Sequence, residues 1–170
     1  MKDNTKLTTK DIALIGVMIA TIEAAKMALS FVPNVELVTL LIILYTLFFG
    51  YRILYVVPAF ILIEGCLYGF GIWWVMYAYI WPLLALLTHL FRKQDSVWFW
   101  SVFSGIYGLF FGALCAIPYL FIGGLRTAFA WWISGIPMDL LHCASNFILC
   151  LVLFVPLRTV LKKVSGGSRG

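Results

Sequence analysis

The sequence predicts an all-α integral membrane protein of six transmembrane helices with both termini cytoplasmic. Three observations carry this. Hydrophobic residues make up 64% of the 170 residues and charged residues only 11%, whereas soluble domains are about half apolar and a quarter charged. The apolar residues fall in continuous runs, and spanning a hydrocarbon core takes about 20 of them. The 12 Lys and Arg against 7 Asp and Glu are distributed unevenly between alternate connections. So few charges cannot coat a globule in water, which excludes a soluble enzyme and a nucleic-acid-binding domain despite the net charge of +5.

Taken in order, the spans are 12–31, ended by Val32-Pro33-Asn34; 35–49, ended by Gly50-Tyr51-Arg52; and 53–70. Then come 72–91, followed by the polar break Arg92-Lys93-Gln94-Asp95-Ser96; 97–122, before Gly123-Gly124-Leu125-Arg126-Thr127; and 128–157. Outer-membrane strands would be segments of about ten residues with alternating polarity; these runs are unbroken and mostly longer. With the N-terminus inside, Lys2, Lys6, Lys10, Arg52, Arg92, Lys93, Arg158, Lys162, Lys163 and Arg169 lie on the inner side. The outer loops hold only Arg126, so the positive-inside rule sets the direction. One membrane domain is expected over 1–164. Residues 165–170 read as a flexible tail or a cloning remnant, and no cleavable signal peptide is expected.

Catalytic and metal signatures are missing from the sequence. No HExxH, GxSxG or P-loop pattern occurs, and the only histidines are His89 and His142. Ser145 lies three residues from His142, but nothing marks it as a nucleophile. Cys66, Cys115, Cys143 and Cys150 show no metal spacing and read as packing residues. No catalytic residue, metal or cofactor is expected.

Gly16, Ala20, Ala24 and Ala28 recur every fourth residue, and steps of four drift only about 40° around a helix. They form a ridge that fits either a neighbouring helix of the same bundle or a separate membrane subunit, since small residues let backbones approach in lipid. Glu23 and Lys26 lie three apart on the same helix. They form either a local ion pair or part of an outward-facing pocket. In the last span Asp139, His142 and Asn146 make one stripe behind Gly135-Ile136-Pro137, where a proline kink is expected. Glu64 lies at comparable depth. Trp73, Trp74, Tyr77, Tyr79, Trp131 and Trp132 read partly as an interfacial belt and partly as walls for a flat ligand. The stripe is either a binding site or interhelical packing glue.

These features together resemble a substrate-binding S component of the energy-coupling factor (ECF) vitamin importers. The resemblance rests on size, on six helices with both ends inside, and on the Ala20, Ala24, Ala28 ridge. It extends to Pro33-Asn34-Val35-Glu36 leading to Val38-Thr39, and to Gly135-Ile136-Pro137 leading into Asp139, His142 and Asn146. It implies a protein of the bacterial cell membrane that binds a vitamin or related micronutrient at the outer face. Its partners would be a transmembrane coupling subunit, docked on Gly16, Ala20, Ala24 and Ala28, and two cytoplasmic ATPases. Cobalamin or a precursor is the first expectation for the substrate, with queuosine-type and pyrimidine-type ligands as alternatives. The ligand shell expected from depth and helical face is Glu64, Trp74, Tyr77, Asp139, His142 and Asn146. Lys26 joins it from the first helix, with Asn34, Glu36 and Arg126 as rim or lid. The rival readings are a stand-alone receptor for a planar ligand such as a tetrapyrrole, a membrane enzyme, and a scaffold without a ligand.

Overall fold

The computed structural model describes residues 7–167. Lys2 and Lys6, expected on the inner side, and residues 168–170 of the expected tail lie outside them. Among the described residues the chain is all-helical: α1 (Thr9–Leu29), α2 (Val38–Phe49), a 3-10 turn (Gly50–Arg52), α3 (Ile53–Tyr68), α4 (Ile72–Leu90), α5 (Val97–Leu109), α6 (Phe111–Cys115) and α7 (Ile117–Gly167). Four stretches have the length and apolar composition to cross a bilayer: Thr9–Leu29, Val38–Tyr68, Ile72–Leu90 and Ile117–Ser165.

Local chemistry sets the ends. Thr8 and Asp11 form a reciprocal capping box that starts α1. The second Asp11 oxygen accepts from Arg52 Nε at 2.7 Å, tying this end to the turn between α2 and α3. Gly50 makes that turn at φ 55°, a left-handed conformation that glycine adopts without a Cβ clash. On the same end, Arg158 Nη2 donates to Asp95 Oδ1 at 2.8 Å. Arg92, Asp95, Arg158 and Lys162 line one shallow recess there. Most of the described basic residues thus collect at one end of the bundle. The Pro33–Glu36 connection sits at the other.

α5 and α7 form an antiparallel pair, with the short α6 packed on α7. A Cβ on Gly105 would meet Cys143 O at 3.2 Å, and one on Gly108 would meet His142 O at 2.8 Å. Nearer the tip, Tyr119 stacks on Trp131 with ring centroids 5.0 Å apart. The small residues at 105, 108 and 112 are what let these helices approach backbone to backbone.

Four expectations need correction. The fifth run is not one helix over 97–122: it breaks at Phe110 and again at Ala116. The expected outer break at 123–127 shrinks to Gly124 alone, the one residue in α7 with non-helical geometry (φ 76°, ψ −177°). Arg126 is therefore helical. Pro137 causes no such departure, and α7 passes through it with helical dihedrals. The helix then continues to Gly167, past Ser165, where the flexible tail was expected to start.

The core is built largely on α2. Leu40 through Leu44 are all buried, with Val56, Phe60, Ile80, Leu84 and Trp100 around them. By contrast Gly16, Ala20, Ala24 and Ala28 are all exposed. A Cβ on Gly16 would meet nothing within 4 Å. Among the described residues, no other helix covers the ridge.

Candidate functional site

At the end opposite the basic cluster, α1, α4 and α7 surround a cavity of about 300 Å³. Its polar lining is Lys26, Ser30, Asn34, Glu36 and His142, and Tyr77, Trp81 and Phe111 supply aromatic walls. A second cavity of about 250 Å³, lined by Glu64, Tyr68 and Trp73, shares Lys26 and Ser30 with the first.

Lys26 stands where the two meet. Its ammonium is paired with Glu64 of α3, not with Glu23 one turn away. Glu64 is fully buried, and the Lys26 side chain is 27% exposed. The ammonium also lies 5.0 Å from the centre of the Tyr68 ring and 5.4 Å from that of Tyr77, positions in which ring faces attract a cation. The local i,i+3 pair was the simplest reading, but α1 turns Lys26 towards α3 instead. Both Glu23 oxygens and Glu64 Oε1 are buried without a hydrogen-bond partner.

The other wall is the 30–37 connection, fastened to α7. Asn34 adopts φ 55°, a left-handed conformation tolerated by Asn better than by most residues. Ser145 Oγ donates to Asn34 O at 2.7 Å. Glu36 is held at both carboxylate oxygens: Oε2 accepts from the Thr39 amide at 2.8 Å, and Oε1 lies 3.2 Å from His142 Nε2. Phe111 meets the His142 ring edge-on at 4.9 Å. One turn further, Asn146 Nδ2 donates to Thr39 Oγ1 at 3.3 Å. The stripe on α7 thus clamps the connection and the start of α2.

Burial alone would raise the Glu36 carboxyl, but hydrogen bonds and charge from His142, with those from Thr39, outweigh it and hold the group below its ordinary 4.5. Folding therefore favours the ionised form. That contribution is complete above pH 4.5 and is lost as pH falls through the lower folded-state value. Hydrogen exchange at the Thr39 amide, corrected for intrinsic rate, should accelerate below about pH 4.5. Unchanged protection down to pH 3 would show that the carboxylate does not hold the loop.

Of the residues expected in the shell, Lys26, Asn34, Glu36, Tyr77 and His142 line the larger cavity, and Glu64 lines its neighbour. Asp139 and Asn146 are buried beside the cavities without lining either. Asp139 accepts from the Gly112 amide at 3.0 Å, and a side chain at Gly112 would collide with that carboxylate. Trp74 donates to Ile61 O at 2.8 Å and packs on Phe70, away from the cavities. Arg126 is exposed beyond Gly124 and is not at the rim. Sequence reasoning missed Trp81, Phe111, Ser30 and Tyr68. It also passed over Ser145, although the i,i+3 spacing from His142 placed it on the clamping face. Cys115 and Cys150 are buried, whereas Cys66 is exposed.

A larger recess of about 340 Å³ lies between Pro58 and Pro82, but its lining is mostly apolar, with Thr46, Tyr51 and His89 its polar side chains. The cavities at Lys26 combine apolar walls with convergent polar groups, the usual make-up of a small-molecule site.

By length and composition several helices suit a multi-pass membrane protein, and ionisable side chains stand around a cavity at one end of them. The chain matches no protein-family model, no curated protein and no solved structure.

Proposed function

We propose that the chain is the substrate-binding S component of an ATP-dependent importer of the ECF type in a bacterial cell membrane. It would cross the bilayer six times, with the basic end and both termini in the cytoplasm. The observation that carries this reading is the pair of cavities at Lys26, at the end opposite the basic cluster. Charges inside a membrane protein are expensive and mark ligand or ion paths. Here they come from α1, α3, α7 and the 30–37 connection. The exposed Gly16, Ala20, Ala24, Ala28 ridge supports a docking role for α1 towards a transmembrane coupling subunit. Two ATPase subunits would supply the energy, in keeping with a sequence that holds no P-loop.

Cavities of about 300 and 250 Å³ favour a small ring-bearing micronutrient, of the pyrimidine or queuosine kind, over a corrinoid. Sites of a few hundred cubic ångströms suit drug-sized ligands, and a corrinoid is several times larger. The stand-alone receptor reading differs in needing no partner. The test is uptake of the copurifying compound into membrane vesicles that contain this chain with its coupling proteins. Accumulation should require ATP inside the vesicle as well as the chain. Equal uptake without ATP, or by the chain alone in liposomes, would contradict the proposal.

A further inference from the structure

Carboxyl groups at and behind the two cavities outnumber the cations. Among the described residues Lys26 is the one cation facing both, and it is already engaged by Glu64. The carboxyl group of Glu23 neighbours that of Glu64, and Glu36 stands in the wall of the larger cavity opposite His142. Three carboxyl groups, two in the cavity walls and Glu23 behind them, thus stand against Lys26 and one histidine. Hydrogen bonding is unbalanced in the same sense. Both oxygens of Glu23 and Oε1 of Glu64 are buried acceptors with no donor, although Glu64 is fully buried and Glu23 is only 9% exposed. A buried acceptor without a donor is costly. The Tyr68 and Tyr77 ring faces already flank one cation, so the walls also suit positive charge.

We infer that the site at Lys26, Glu64 and Glu23 takes a ligand bearing a positively charged, hydrogen-bond-donating group of the protonated amine or amidine class. This deepens the reading of the cavities as a binding site and rests on it. The ligand's cation shares the carboxylates with Lys26 and supplies the donors that Glu23 and Glu64 lack. An anionic group would bring further acceptors and no donor.

Three probes with one ring and different charge separate the possibilities: benzamidine (cationic), benzamide (neutral) and benzoate (anionic). Each is titrated into the detergent-solubilised full chain with Trp fluorescence as the readout. Benzamidine should bind about tenfold or more tighter than benzamide, the worth of a hydrogen bond to a charged group. Benzoate should bind weakest. Glu23→Gln keeps the side-chain volume and breaks no hydrogen bond present here, so the variant should fold and lose about tenfold of the benzamidine preference. Benzamide equal to benzamidine, or benzoate tightest, overturns the charge assignment and leaves the cavity a binding site. A benzamidine preference untouched by Glu23→Gln overturns the placement at this cluster. If none of the three binds, the proposal falls, and the cavity reading then depends on native mass measurement of the purified chain.

Discussion

Lys26→Met is expected to lower the stability of the folded chain by about 3 kcal/mol, because breaking a buried ion pair strands the remaining charge. Glu64 is fully buried, so its carboxylate would be left without its cation. The lysine stem is apolar and methionine fills most of its volume, which makes the loss electrostatic and not a cavity effect. Combining Lys26→Met with Glu64→Leu should restore most of the stability, since replacing both charges by apolar groups of similar size is often neutral. A double-mutant cycle read by thermal unfolding in detergent measures the coupling. Additive losses would mean that the two side chains do not stabilise each other. The double variant should nevertheless bind no benzamidine, which separates the folding role of the pair from its recognition role.

Ala24→Leu should have the opposite profile. Ala24 is exposed, as are the other three ridge positions, so a leucine there displaces nothing within the chain. Stability and ligand affinity should stay within about twofold, as for a surface site far from any special feature. ATP-dependent uptake should fall to background, because the bulk of a leucine side chain on a small-residue seam prevents close helix approach. Uptake at wild-type level would show that the ridge faces lipid alone. A loss of ligand binding in the isolated chain would mean that the ridge supports the fold.

What could be read from the sequence follows from the range of the forces involved. Apolar run length and charge placement depend on neighbouring residues, so the helices and the basic end were legible. The stripe of His142 and Asn146 was legible as one face of a helix, but its function as a clamp on Asn34, Glu36 and Thr39 was not. Those contacts join residues more than a hundred positions apart. Lys26 makes the same point. Its neighbour in sequence is Glu23, its partner is Glu64, and the choice is set by how α1 is rotated against α3. The break at Phe110 was hidden because every residue around it is apolar. Trp74 and Tyr77 read alike as aromatic side chains near a helix start, yet one donates to Ile61 O and the other faces the cavity. Arg126 looked like a rim residue because glycines precede it, and Gly124 alone makes the turn, leaving the arginine helical and exposed.

The central claim is that a small molecule occupies the space between Lys26, Glu36, Tyr77 and His142. Native mass spectrometry of the chain released from detergent, after expression in rich medium, tests it most directly. One bound compound per chain is predicted, and its signal should be strongly reduced in a Tyr77→Ala, His142→Ala variant that still folds. A bare chain from the wild type, or an adduct that persists unchanged in the variant, would contradict it.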